Sequence, residues 1–296
     1  MRRRGGVIRR DEALGLFPTY LVDDALRAGA ITLAHPGVYR LPDADDRATR
    51  RRAALAFCPN GALSHTDALD VWRLPNIQSS RVHVTVNKAD SQQSASIQIH
   101  RRTGYRPEAP WAFICDGLRT VCLDQAIVES WPLLPTLDRR APAIIAVRER
   151  RTTAERLLQT LDMQPMTSGA GAQRRLFGLL AAGNHSELEI WGHERIFSNK
   201  DLPISQPQHR VHIGKQLMIL DRAFLTEMLA VELDGAAYHG SPGQRERDLK
   251  RDSTLARLGW QTVRFSHQRL HREPGHVVDE LLDILERRRQ QLGIAG

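Results

Sequence analysis

Apolar residues recur along this chain at two different spacings, and each change of spacing marks a new element. Residues 20–27, YLVDDALR, repeat at helical spacing and place Leu21, Ala25 and Leu26 on the inward side. A short helix over 9–16 precedes them, Pro18-Thr19 make the turn between, and Gly29 is suited to end the second helix. Residues 31–33 and 38–41 flank His35-Pro36-Gly37 and predict a hairpin. Two short helices followed by a hairpin predict a winged helix-turn-helix over residues 1–45, whose second helix can enter a major groove. A small helical cap for protein contacts is the alternative for the same pattern.

Residues 46–165 predict a mixed α/β middle domain. A helix covers 47–57, Ser64 caps a second one over SHTDALDVW, and 118–130 predict a third. Residues 81–86 and 97–100 alternate with the two-residue period of a strand. Thr153, with Arg156 and Leu157 behind it, opens another helix that ends before Gln164-Pro165. His65, His83 and His100 fall in different elements with no carboxylate pattern nearby, and are read as surface or packing residues. MTSGAG at 166–171 is small and flexible in composition and makes the linker.

Residues 172–296 form the third domain. A helix over 172–183 is followed by Ser186-x-x-Glu189, a capping box at the start of the next. A hairpin over 208–212 and 216–220 turns at Gly214-Lys215. Then come a strand over 228–233, a long helix over 244–258 closed by Gly259, and a strand over 260–265. This alternation predicts a mixed sheet with helices on its faces, and an α/β (α+β) chain overall.

Within that domain, ILDRAFLTEMLAVELDGAAYH at 219–239 carries the chemistry. Asp221, Glu232 and Asp234 lie on or beside two apolar runs that read as neighbouring strands. A carboxylate in an apolar strand is costly to bury unless it is paired or holds a cation. Acidic oxygens converging at strand ends suit Mg²⁺ or Mn²⁺, so Asp221 and Glu232 are the candidate metal ligands. Glu232 and Asp234 share a strand face, with the Leu233 carbonyl between them as a further donor. An edge strand whose polar residues alternate into solvent is the competing reading. His239 follows Gly235-Ala236-Ala237, where the backbone can turn it over the site; a neutral imidazole there activates water, or it is a loop histidine without a role. Asp248 and Arg251 stand three apart on one helix, beside Arg247 and Lys250. They form either a solvated ion pair or a basic helix that holds phosphates near the scissile bond.

Composition adds a partner. At 296 residues the chain exceeds one typical domain, and 42 Lys plus Arg against 34 Asp plus Glu leave a net charge of +8. The excess comes in short clusters such as Arg50-Arg51-Arg52 and Arg287-Arg288-Arg289, and it favours DNA as the partner over a basic surface kept for solubility. Three cysteines without C-x-x-C spacing are expected to be reduced thiols. No apolar run reaches the ~18 residues of a membrane span, and the N-terminus lacks a signal-peptide core, so a soluble cytoplasmic protein with no membrane partner is expected. Nothing in the sequence sets an oligomeric state.

Two resemblances follow from these motifs. GVYRLP, SHTDAL, VHVTV and GLRTVCLDQAI, spread over about residues 5–135, resemble the AbiEi-type antitoxins of type IV toxin–antitoxin systems. That resemblance implies transcriptional autoregulation through the winged helix, and a toxin protein as partner. It supplies no catalytic residues, so a catalytically silent DNA-binding regulator is the function it favours. Ser186-x-x-Glu189, Asp221, AVELDG at 230–235, His239, Arg247-Asp248, Arg251-Asp252 and LARLGWQTVRFS at 255–266 resemble the very-short-patch-repair branch of the PD-(D/E)xK nucleases. This second resemblance spans about 172–290 and implies a restriction-endonuclease-like fold with Mg²⁺-dependent cleavage or nicking of DNA. It also implies Glu189, Asp221 and Glu232 as the acidic core, and His239 as a catalytic residue. Asp234 departs from the pattern, because a lysine is usual there to stabilise phosphate charge or position water. A cation, His239 or an arginine of the following helix can take that place.

Overall fold

The computed structural model describes residues 1, 5–164, 167–214, 216–234 and 242–294, with Gln216, Asp234 and residues 242–245 described by their backbone alone. The chain divides into two compact units, Met1–Phe177 and Gly178–Gly296. Helices and strands are mixed in both, as the sequence pattern predicts.

The first unit begins β1 (Val7–Arg9), α1 (Arg10–Leu14), α2 (Thr19–Arg27), β2 (Thr32–His35), β3 (Val38–Arg40) and α3 (Arg47–Phe57). The three strands form one sheet in the order β1-β3-β2. Strand β1 is absent from the sequence pattern because three residues are too few to show a period. The inward face of α2 also differs from expectation. Val22 is the buried residue at 4% exposure, whereas Leu21 is 43% exposed. Leu16, Phe17 and Leu21 instead rim an apolar cavity of about 390 Å³ floored by Ile8, Ala13 and Val22.

The unit continues with β4 (Ala62–Leu63), α4 (His65–Val71), β5 (Val82–Asn87), β6 (Ile97–Arg102), β7 (Ala112–Cys115), β8 (Leu118–Val121), α5 (Leu123–Ser130), α6 (Ala141–Arg148) and α7 (Ala154–Asp162). These strands form a second sheet in the order β6-β5-β4-β8-β7, in which β5 and β6 run parallel. Residues 118–130, expected as one helix, are a strand and a helix broken at Cys122. The period breaks there: LRTV pairs antiparallel with AFIC of β7, and only then do LDQAIVES wind up. Thr153 does cap α7, accepting a hydrogen bond from the Arg156 N–H.

Helix α3 serves both sheets. Ala53 packs with Val7 and Val38 under the first, while Ala54 packs with Leu63 and Val84 under the second. Asp67 of α4 fixes that arrangement from inside, being fully buried. Its Oδ1 accepts from Arg47 Nη2 at 2.9 Å and from Arg51 Nε at 2.8 Å. Its Oδ2 accepts the His83 N–H of β5 at 2.9 Å. A buried carboxylate is tolerated because all these donors meet it.

Helix α8 (Ala170–Ala181) crosses the division between the units. The second unit holds α9 (Glu187–Gly192), a π-helical turn His193–Phe197, β9 (Gln206–Ile213), β10 (Gln216–Phe224), β11 (Leu229–Asp234), α10 (Pro242–Arg257), β12 (Gln261–Ser266), α11 (His267–Arg272) and α12 (Pro274–Leu292). Its sheet has the order β12-β11-β10-β9, antiparallel except that β11 and β12 run parallel. Both faces are covered, which explains why β11 is apolar from Leu229 to Val231 and again at Leu233, on either side of Glu232. Leu229, Val231 and Leu233 pack with Val277, Leu281 and Leu285 of α12, while Ala230 packs with Leu255 of α10. Among the described residues, no helix is long and apolar enough to cross a membrane.

Candidate functional site

Alternation along β11 turns Glu232 to the side of Ala230, under α10. It is only 9% exposed there. Asp221 lies on β10, which runs four residues further than the pattern predicts, so this carboxylate sits within the strand and not beyond its end. The β10–β11 pairing includes Arg222↔Val231, one step from the two acids. At that step the Leu233 N–H donates to Asp221 Oδ2 at 2.9 Å. The backbone thus binds one carboxylate in place of a strand carbonyl, and holds it close to the other.

The field of this pair is visible in Glu232, whose pKa is pushed up to about 7, first by burial and then by the Asp221 charge. Arg251 of α10 opposes the shift, its Nη2 donating to Glu232 Oε1 at 2.7 Å. The same nitrogen donates to the Ile219 carbonyl, and Arg251 Nε is buried without a hydrogen-bond partner among the described residues. Arg264 of β12 adds a second, more distant positive charge and is itself bonded to Asp252 Oδ1 at 2.7 Å. Two hard carboxylates crowded in a poorly solvated spot, one of them resisting ionisation, fit a divalent cation well. Asp221 and Glu232 are the side chains that would hold it.

The remaining candidates are placed as follows. Glu189 completes its capping box with Ser186: the Glu189 N–H donates to Ser186 Oγ at 3.1 Å, and that hydroxyl donates to Glu189 Oε1 at 2.8 Å. Its Oε2 accepts from the His185 N–H at 2.9 Å and from Gln208 Nε2 at 3.0 Å. These bonds tie Glu189 to the start of α9 and to β9. Lys250 is exposed and pairs with Glu246 at 3.5 Å, one turn back, and Arg247 is exposed beside it. Arg251 leaves that outer row and faces Glu232. Asp234 ends β11 opposite Ser266, with its side chain outside the described residues, and His239 lies outside them altogether.

A second cluster stands in the first unit, made of three histidines that sequence spacing alone leaves unrelated. Strands β4, β5 and β6 are neighbours, and they gather His65, the first residue of α4 just past the end of β4, with His83 of β5 and His100 of β6, so that one ligand atom of each lies within 4.8 Å of the others. Burial lowers the pKa of all three: His65 falls well below its usual value, and His100 falls to about 4, with His83 adding to the effect. Glu129 of α5 stands beside them, pushed up to about 7 by burial against the opposing pull of Arg102. No local pattern announces this cluster, because it depends on strands 35 residues apart in sequence or less being paired in parallel and antiparallel register.

Comparison with known proteins bears on the second unit most directly. Residues 205–285, which hold β9 to β12 and both carboxylates, match the family REase_MTES_1575, a restriction-endonuclease-like family. Over 210 residues the chain is 24% identical to the uncharacterized protein Rv2248 of Mycobacterium tuberculosis H37Rv, covering 70% of this chain and 75% of that protein. The uncharacterized protein MT2308 of M. tuberculosis CDC 1551 is similar to the same extent. Among solved structures, the crystal structure of RV2827C protein from M. tuberculosis is similar at a TM-score of 0.44 and 16% identity, covering 63% of this chain and 79% of that one. The C-terminal part of this chain is a restriction-endonuclease-like domain.

Proposed function

We propose that the protein is a metal-dependent DNA endonuclease or nickase, carried to DNA by a winged helix-turn-helix at its N-terminus. The pairing of Asp221 with Glu232 on adjacent strands, inside the restriction-endonuclease-like match, carries this reading. The +8 charge suits a polyanionic substrate, and β1-α1-α2-β2-β3 has the order of elements that a winged helix requires. The resemblance to very-short-patch-repair nucleases supports cleavage or nicking of DNA.

Asp221 and Glu232 would hold Mg²⁺ or Mn²⁺, which when bound polarises the phosphoryl oxygen and neutralises the leaving group. Asp221, fixed by the Leu233 N–H, presents a preset oxygen, and Glu232 can carry a proton near neutral pH. Arg251 Nη2 holds Glu232 in one orientation and supplies a positive charge next to the acids. Lys250 and Arg247, exposed on the outer side of α10, suit contacts to phosphates flanking the scissile bond. Supercoiled plasmid incubated with Mg²⁺ or Mn²⁺ tests the reading. Nicked or linear product is expected from the wild type, with loss of at least ~100-fold in Asp221→Ala and Glu232→Ala. Equal cutting by all three proteins would refute it.

Two observations favour a second reading, a catalytically silent DNA-binding regulator of the antitoxin type. Arg251 forms an ion pair with Glu232, and Asp234 stands where a lysine would serve phosphate chemistry. Sequence-selective binding to its own promoter that survives in Asp221→Ala, with no cutting by the wild type, would favour that reading.

A further inference from the structure

We propose that His65, His83 and His100 form a three-histidine site for a first-row divalent metal ion, Zn²⁺ foremost, in the first unit. The site is separate from the acidic pair of the second unit and does not depend on the nuclease reading. Its geometry is close to that of a coordination sphere. His83 Nδ1 lies 2.9 Å from His100 Nε2, and the ligand atoms of all three rings fall within 4.8 Å of one another. Tetrahedral ligands at about 2.0–2.1 Å from zinc sit about 3.3 Å apart, so the observed separations bracket the required one. Rotations that move ring atoms by roughly 1 Å suffice to close the sphere.

The rings are held for this purpose from behind. His65 Nδ1 lies 3.0 Å from the buried Ser64 Oγ and 3.7 Å from Glu129 Oε2, which leaves Nε2 of the same ring to face the ion. A metal-bound histidine needs such an acceptor on its other nitrogen, to fix its tautomer and raise its basicity. Glu129 is suited to the task. Its Oε1 accepts from Arg102 Nη1 at 3.0 Å and Gln125 Nε2 at 2.9 Å, but its buried Oε2 has no hydrogen-bond partner among the described residues. An unpartnered carboxylate oxygen in a side chain only 12% exposed is costly, and the N–H of a metal-bound imidazole, made more acidic by the ion, would satisfy it. His83 is fixed through its backbone by Asp67, and His65 adopts a φ of +51°, a left-handed conformation uncommon for any residue but glycine.

Access and ligand type agree. His65, His100 and Glu129 line an open cavity of about 680 Å³, so an ion can enter and a fourth position remains free for water or an exogenous anion. Arg101 and Arg102 on the same wall favour an anion there. Three imidazoles are a borderline donor set that selects Zn²⁺, Co²⁺ or Ni²⁺ over Mg²⁺, whereas the Asp221–Glu232 pair selects the reverse. Glu129 is a positioning residue in this site, acting through His65.

The full chain carrying Asp221→Ala and Glu232→Ala, stripped with chelator, isolates this site from the other. Titration with Co²⁺ is expected to give one equivalent bound, with the intense visible bands of four-coordinate cobalt, displaced stoichiometrically by Zn²⁺. His83→Ala and His100→Ala should each weaken binding by at least ~100-fold, and Glu129→Gln by ~10–100-fold with the cobalt bands retained but shifted. No binding of either ion at micromolar concentration, or unchanged stoichiometry in the triple histidine variant, would overturn the proposal. Should the alanine variants fail to fold by circular dichroism, X-ray absorption of the zinc-loaded chain with its histidines intact decides. Imidazole scatterers near ~2.0 Å support the site, and a sulfur or water-only shell overturns it.

Discussion

Replacing Glu232 by glutamine should stabilise the second unit at alkaline pH and leave it nearly unchanged at acid pH. Glu232 titrates near 7 in the folded chain, against an ordinary 4.5. Below 4.5 both folded and unfolded states hold the proton, and the group contributes nothing to pH dependence. Between 4.5 and 7 the unfolded chain releases its proton while the folded chain retains it, so stability falls as pH rises across that window. The displacement from 4.5 to about 7 corresponds to about 3 kcal/mol, fully expressed above pH 7. Glutamine removes that penalty, in which the pull of Arg251 is already contained, and about 1 kcal/mol of it is already expressed at pH 5 because the unfolded chain has begun to ionise there. The expected net gain of Glu232→Gln at pH 8 relative to pH 5 is therefore about 2 kcal/mol, or roughly 8 °C in the melting temperature of a unit this size. Calorimetry of both full-length proteins at the two pH values measures it, and subtraction cancels every group they share. A glutamine variant whose melting difference from wild type is the same at pH 5 and pH 8, or smaller at pH 8, refutes the crowding of Glu232 by burial and Asp221.

Further outcomes test other parts of the architecture. Asp67→Ala should cost about 3 kcal/mol, because it leaves the buried Arg51 guanidinium with Asp70 alone and strands the His83 N–H; a urea midpoint lowered by less than the equivalent of 1 kcal/mol would contradict that. Ser186→Ala and Glu189→Ala should each cost about 1 kcal/mol and, because they share one capping box, the double variant should cost less than the sum. Additive losses by denaturant titration would show that the two act separately. Arg251→Met removes the cation that competes for Glu232, so Mn²⁺ binding by calorimetry should tighten about 10-fold while the metal-free protein melts lower at pH 8; unchanged metal affinity would argue that Arg251 and the ion do not share the site.

Much of this chain is legible from its residues, and the limits have physical causes. A strand buried on both faces shows as an unbroken apolar run, so LAVEL of β11 and its one misplaced carboxylate stand out. Local hydrogen-bond chemistry is equally plain, and the caps at Thr153 and Ser186 fall where the side chains require. Short strands fare worse. β1, β4 and β7 have no more than four residues each, and β8 merges in sequence with the helix it precedes. Which side of α2 faces inward depends on the sheet it meets, and Val22 wins over Leu21 for that reason. The acidic pair was visible because its two members lie on consecutive strands. The three histidines were not, because β5 and β6 pair in parallel, a contact that no local spacing encodes. Helical spacing offers Arg251 as a phosphate contact or a partner of Asp248, and only the packing of α10 over β11 turns it onto Glu232.

Asp67 has one further consequence. One of its oxygens receives the guanidinium groups of α3, the helix that underlies the N-terminal sheet, and the other receives the N–H of His83. A single rigid carboxylate therefore reports the position of α3 to the histidine cluster, and the position of the cluster back to α3. Free energies obey reciprocity: if an ion drawn to the imidazoles shifts β5, whatever grips the N-terminal sheet must feel the same number of kilocalories in return. A side chain that looks like interior cement would then act as the fulcrum between two occupancies.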